Sequence, residues 1–225
     1  MLDALDEAGA EELVCLGDIV GYGPDPNECV TMLRKRRAVT VIGNHDEAAS
    51  KASGDEDFNP IARLAIEWTR SALSADNVSF LASLPDTALF DDFAVVHGAP
   101  EHRFAYILDA AGARHAFQHV KKPLTFVGHS HVAEVYYQDE RGRTYHDRLL
   151  HGGLIAIRPE YRYIVNPGSV GQPRDRNPQA SFALYDSEAR SIDVRRVTYD
   201  IASVRRRIEA AHLPSELGAR LETGR

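Results

Sequence analysis

Gly128-His129-Ser130-His131 follows directly on the apolar run Leu124-Thr125-Phe126-Val127. Two imidazoles at i and i+2 lie on one face of a strand, and where the strand ends and the chain turns both rings can converge on one metal region. Three further segments share this build, an apolar run that stops at a ligand-type side chain: Leu13-Val14-Cys15-Leu16-Gly17-Asp18, Val39-Thr40-Val41-Ile42-Gly43-Asn44-His45-Asp46 and Phe93-Ala94-Val95-Val96-His97-Gly98. Brought together, they would offer one Asp, one Asn and three or four His. Oxygen and imidazole donors without a thiolate suit Mn, Fe or Zn. Singly, each residue has a plainer reading, Asp18 as a turn or cap residue, Asn44 as a turn former, each His as a structural hydrogen-bonder; several at one place favour chemistry.

Something must hold these loops at one place. In open α/β sheets, ligands bind at the carboxyl ends of strands, which is where all four motifs sit. Between them, Asp25-Pro26-Asn27-Glu28 has the pattern of a helix start with Asp25 at N-cap and Pro26 at N1. Asn59-Pro60 starts another helix, with Ile61, Leu64, Ala65, Trp68 and Ala72 spaced to pack on a sheet. Val78, Leu81 and Leu84 suggest a short helix, and residues 87–90 and 93–96 a hairpin turning at Asp91-Asp92. From Pro123 the balance shifts to strands at 124–127, 132–137, 162–165, 181–185 and 192–197, before a closing helix at 201–211. A helix-rich first half and strand-rich second half suit two sheets face to face with helices outside.

Taken in order, Gly-Asp, Gly-Asn-His-Asp, His-Gly and Gly-His-Ser-His resemble the calcineurin-like metallophosphoesterases from about residue 12 to about residue 171. Gly17-Asp18-Ile19-Val20-Gly21-Tyr22-Gly23-Pro24 is similar to the small bacterial phosphodiesterase and phosphatase branch. It is unlike the protein phosphatases, which carry an Asp and an Arg where this chain has Gly21 and Tyr22; the Asp that orients the catalytic His and the phosphate-clamping Arg are both missing. The resemblance implies an α/β fold, a four-layer α/β/β/α sandwich of two mixed sheets. It also implies two divalent metals, with Asp18 bridging them, Asn44, His97 and His129 on the second, His131 on the first, and His45 donating a proton to the leaving oxygen. Asp46 would fix its loop. Attack by metal-bound hydroxide on a small phosphomonoester or phosphodiester is the implied reaction.

One family motif is missing. Members open with a strand ending in Asp-x-His, which gives the first metal two ligands, whereas this chain opens Met1-Leu2-Asp3-Ala4-Leu5-Asp6-Glu7-Ala8-Gly9. The expectation is an N-terminally truncated single domain over 1–225, lacking its first, central strand, with Met1 an internal start; in-frame coding sequence upstream for such a strand would support this. Counting ligands then leaves one metal site full and the other with only Asp18 and His131. Loss of that site makes a catalytically silent metal- or phosphate-binding regulator the rival to an enzyme.

Weaker candidates remain open. His102, Arg103 and Tyr106 could line a substrate pocket or belong to an ordinary surface loop. His115 and His119 sit at i and i+4 on an expected helix, where an exposed face is the favoured reading over a zinc site. Asn166-Pro167-Gly168-Ser169-Val170-Gly171 is a turn-rich loop whose backbone N–H groups could meet an anion.

Composition bounds the rest. The 225 residues suffice for one substantial core. A net charge of −7 argues against nucleic acid as a main partner. Arg34-Lys35-Arg36-Arg37 and Arg205-Arg206-Arg207 read as solvated helix faces. No run of about 18 apolar residues offers a membrane span. Two cysteines, Cys15 and Cys29, argue against a disulfide framework and fit a reducing cytoplasm. Oligomeric state is not legible.

Overall fold

The computed structural model describes residues 1–51, 54 and 58–225. After α1 (Leu2–Glu7), the parallel pair β1 (Val14–Cys15) and β2 (Val39–Thr40) is joined by α2 (Pro26–Lys35). The helices α3 (Asn44–Lys51), α4 (Pro60–Ala72) and α5 (Ala75–Ala82) follow, then the hairpin β3 (Thr87–Leu89) and β4 (Phe93–Val96), in which Thr87 faces Val96. Beyond α6 (Ala110–Ala116) come β5 (Leu124–Phe126), β6 (Ala133–Asp139), β7 (Thr144–Arg148), β8 (Gly153–Ala156), β9 (Tyr161–Pro167), β10 (Ala180–Asp186) and β11 (Ser191–Val197). The chain closes with α7 (Ile201–Ala210) and α8 (Ser215–Ala219).

Six strands form a mixed sheet in the order β3-β4-β5-β9-β6-β7, with β4, β5 and β9 parallel, while β10-β11-β8 form an antiparallel trio. Val95, Phe126, Val135 and Val165 of the large sheet meet Ile192 and Val194 of the small one, and Val41 joins this core with Val14 and Leu16 against it. On the outer face of the large sheet, Ala113, Ala116 and Phe117 cover Val96, Val127, Tyr136 and Ile164. The helices α2, α3, α4, α5, α7 and α8 gather in two further clusters of their own. The layers are therefore helix, sheet, sheet, helix, the second sheet layer being divided between the parallel pair and the antiparallel trio.

Local chemistry explains the helix starts unevenly. Asn59 caps α4 by accepting from Ala62 N at 3.0 Å. Asp25, expected to cap α2, makes no such bond; its carboxylate pairs with Arg207 instead, and Pro26 with its fixed φ suffices to start the turn. The buried face of α4 also departs from the expected stripe. Ala65 of that stripe is buried with Ile61 and Trp68 packed beside it, but Leu64 is 55% exposed, and Ala62, Ile66 and Thr69 are buried on a second side. The helix is wedged between two clusters, Ile66 packing with Val30, Ala48 and Leu81, and Ala65 with Ile208, Leu217 and Leu221. A row of small side chains allows that close approach on two sides, and the buried Thr69 hydroxyl is satisfied by Ala65 O at 2.8 Å.

The strands β7 and β8 have no counterpart in the sequence expectations. Thr144-Tyr145-His146-Asp147-Arg148 is too polar to announce itself, because as the edge of its sheet it has only one neighbour, β6. The basic runs are spent on surface pairs: Arg34 with Asp76, Arg36 with Asp6, Arg205 with Glu222 and Arg207 with Asp25. Among the described residues no helix is long and apolar enough to cross a membrane.

Candidate metal centre

The carboxyl ends of β1, β2, β4 and β5 deliver Asp18, Asn44, His97 and His129 to one spot. Ligand atoms of Asp18, His97 and His129 lie within 4.8 Å of one another. Two glycines make this approach possible. A Cβ on Gly43 would stand 2.1 Å from Asp18 Oδ1, and one on Gly21 would stand 2.3 Å from His45 Nδ1. Asp46, fully buried, ties the two loops by accepting from Ile19 N at 2.9 Å, Val20 N at 3.2 Å and Gly43 N at 3.0 Å. Asp18, His129 and His131 all adopt positive φ, at 53°, 65° and 60°. Non-glycine residues in that region are strained, and three of them in one place is a pattern found at functional sites.

The hydrogen bonds define the state of His97. Its Nδ1 donates to Leu16 O at 2.7 Å, so in the neutral ring Nε2 bears a lone pair. That nitrogen faces Asn44 Oδ1 at 3.2 Å, His129 Nδ1 at 3.1 Å and Asp18 Oδ2 at 3.3 Å. Four acceptor-type atoms gathered out of water repel one another unless a proton or a cation lies among them. The donor set therefore fits a divalent cation. The backbone carbonyl on Nδ1 fixes the tautomer, a usual arrangement behind a metal-binding histidine. The opposite ring nitrogen of His129, Nε2, is buried without a hydrogen-bond partner, and Tyr106 stacks on that ring at 3.9 Å.

Electrostatics show the same demand for positive charge among these acceptors, which a proton on His97 meets when no cation does. Burial alone would raise the Asp18 carboxyl, yet His97 and His45 beside it hold it well below the ordinary carboxylate range. Burial would lower His97, but the Asp18 carboxylate outweighs it and raises the imidazole. Burial pushes His129 down to about 4, with the His97 charge adding to it, and pushes His131 down to about 3, with the Arg174 charge adding. Both rings are thus held in the neutral form that coordinates metals.

His45 is buried between two rings, Tyr22 at 4.3 Å and Phe58 at 4.6 Å between centroids. Its backbone N donates to Asp18 Oδ1 at 2.9 Å, while its Nδ1 faces Gly21 with no partner. Aromatic packing on both faces fixes the orientation of the ring. Burial lowers this imidazole to about 4.

His131 lies outside the cluster of three. Its Nδ1 donates to Gln172 O at 2.7 Å, and its ring is 6.4 Å from Tyr22. The 166–174 loop braces this side, with Asn166 Nδ2 donating to Gly128 O at 2.6 Å and Ser130 Oγ at 2.9 Å. The anion-binding role considered for that loop rested on backbone N–H groups, but two of these are spent internally: Gly168 N bonds Asn166 Oδ1 and Gln172 N bonds Ser169 Oγ.

Of the other candidates, Arg103 is occupied by Glu47 at 2.8 Å and by Asp86, and lies over Phe104. His102 is exposed, and among the described residues no side-chain contact joins it to the cluster. Tyr106, not Arg103, reaches the site. His115 and His119 are both exposed, with ring centroids 5.2 Å apart. Sequence reasoning missed Phe58, Gln172 and Arg174; nothing local marks a residue whose partner is 152 positions away, as Arg174 is from Tyr22.

Comparison with known proteins places the chain in a family. Residues 1–190 fit the calcineurin-like phosphoesterase superfamily domain. A protein of Methanocaldococcus jannaschii, MJ0912, is 36% identical over 230 residues, covering all of this chain and 91% of that protein. The crystal structure of a metallophosphoesterase from Sphaerobacter thermophilus, 39% identical, superposes with a TM-score of 0.85 over all of this chain and 93% of the other. A hypothetical protein of Pyrococcus horikoshii OT3, 21% identical, shares the fold with a TM-score of 0.76 over all of this chain and 90% of the other. The chain belongs to the calcineurin-like phosphoesterase superfamily.

Proposed function

We propose that this protein is a metal-dependent hydrolase of a small phosphomonoester or phosphodiester, working in the cytoplasm. The observation that carries the reading is the convergence of Asn44 Oδ1, His129 Nδ1 and Asp18 Oδ2 on His97 Nε2, an arrangement that asks for a cation. Asp18, Asn44, His97 and His129 would hold Mn, Fe or Zn, and His131 would contribute to a second, poorer position. The bound cation supplies Lewis acidity and lowers the pKa of the attacking water.

The chain's own residues do the remainder. Asp46 fixes Asp18 and Asn44 relative to each other by gripping both loops. In the resting, neutral ring we assign the His45 proton to Nε2, because Nδ1 has no acceptor to give it to; the donating form is the imidazolium, which passes its Nε2 proton to the departing oxygen and returns to the neutral ring that burial favours. Tyr22 and Phe58 hold the ring for that transfer and keep water from its faces. The net charge of −7 disfavours nucleic acid as substrate.

The test is hydrolysis of p-nitrophenyl phosphate and bis(p-nitrophenyl) phosphate by the Mn-loaded protein, with chelated protein and Asp18→Asn as controls. Metal-dependent turnover lost in Asp18→Asn is expected. Bound metal with turnover of neither substrate would give the site to a silent regulatory binder.

A further inference from the structure

The phosphoesterase reading leaves open what grips the phosphate, since the clamping Arg of the protein phosphatases is replaced by Tyr22. Arg174, from a different element, is set beside this vacancy. Its Nη2 donates to Tyr22 OH at 3.2 Å and its guanidinium lies 5.5 Å from the Tyr22 ring centroid. Tyr22 in turn packs on His45 at 4.3 Å and faces His131 at 6.4 Å. Gln172 Oε1 takes a fork of two bonds from Arg174, Nε at 3.2 Å and Nη2 at 2.9 Å, while the Gln172 carbonyl receives the His131 ring proton. One buried residue thus fixes both the guanidinium and a candidate metal ligand.

The charge of Arg174 is uncompensated. Arg34, Arg36, Arg103, Arg143, Arg196, Arg205 and Arg207 each have a carboxylate partner. Among the described residues Arg174 has none; it is held by neutral oxygens, and no hydrogen bond is made by Nη1. In a chain of net charge −7, a half-buried cation left without an anion beside a metal centre has the character of a binding group. Three imidazoles of the site feel its field. Arg220 behind it feels the same charge, after burial, as a lowering of its own pKa.

Resting on the phosphoesterase reading, we propose that Arg174 binds the anionic phosphoryl group of the substrate. Tyr22 and Gln172 are its positioning residues. The guanidinium restores from the loop after β9 the clamp that the Gly21-Tyr22 segment lacks, and its free Nη1 hydrogens point the selection toward a ligand with at least two exposed phosphoryl oxygens.

Calorimetric titration of the Mn-loaded full chain with inorganic phosphate tests this without requiring turnover. Arg174→Met should weaken phosphate binding about tenfold or more, the usual scale for losing charge-assisted hydrogen bonds. Arg174→Lys, which keeps the charge but not the fork, should fall between, and neither variant should lose Mn or melt lower by more than a few degrees. In the hydrolysis assay KM should rise with a smaller change in kcat. Should Arg174→Met fail to fold, Arg174→Lys and Gln172→Leu carry the test. Equal phosphate affinity in wild type and variants, with hydrolysis intact, overturns the Arg174 proposal and leaves the phosphoesterase reading standing. Wild type that binds no phosphate and hydrolyses nothing overturns both.

Discussion

The Asp175–Arg196 pair and the Asp18–His97 cluster both place charged groups out of water, with side-chain exposures of 0% and 4% for the first and 12% and 1% for the second. The first is closed on itself. Asp175 receives two Arg196 nitrogens and the backbone N of Ala133 and Asn177, and Arg196 also reaches Leu149 O and Gln179 O, leaving only its Nε unpaired. Donors and acceptors there nearly balance. The second has a surplus of acceptors, with Asn44 Oδ1, Asp18 Oδ2 and His129 Nδ1 around His97 Nε2. Burial is the same device in both regions; whether it serves architecture or chemistry is decided by that balance.

The contrast can be broken by mutation. His97→Ala should abolish tight metal binding and lower turnover on the order of a thousandfold, because it removes a ligand and the atom at the centre of the cluster. Its metal-free form should melt close to metal-free wild type, since relieved repulsion offsets lost packing. Asp175→Ala should behave oppositely. Leaving Arg196 buried and unpaired costs about 3–5 kcal/mol, seen in denaturant melts whether or not metal is present. If Asp175→Ala proved harmless to stability, the division between the two regions would not hold.

Smaller effects sharpen the roles within the site. His45→Ala should keep its metal while losing about a hundredfold in turnover of an alkyl phosphoester, and much less with a nitrophenolate leaving group that departs without a proton. Equal losses for both substrates would remove His45 from proton donation. Arg103→Ala, whose partner Asp86 is exposed and whose half-buried partner Glu47 keeps Lys51, should cost under about 1 kcal/mol and leave KM unchanged. A raised KM would return Arg103 to the substrate pocket.

Much of this site was legible because it is built from local patterns. A strand that stops at Gly-Asp, Gly-Asn-His or Gly-His can be read within a few residues, and the fold needs only to bring strand ends together. The hairpin at 87–96 and the Pro26 and Asn59-Pro60 helix starts were readable for the same reason. What escaped depends on distant partners. Leu64 looked buried until two neighbouring clusters claimed the small-residue face of α4. Asp25 had a cap's sequence context but found Arg207. Polar edge strands such as β7 carry no hydrophobic period, and Arg174 acquires meaning only from Tyr22 across the chain.

Metal stoichiometry tests the central claim most directly. Wild type, His97→Ala and Asp175→Asn would be loaded with Mn, dialysed and analysed for metal per chain. The account predicts one tightly held ion in wild type and in Asp175→Asn, because one complete ligand set converges while His131 stands apart, and almost none in His97→Ala. Unchanged metal in His97→Ala, or wild type that retains no ion, would contradict it.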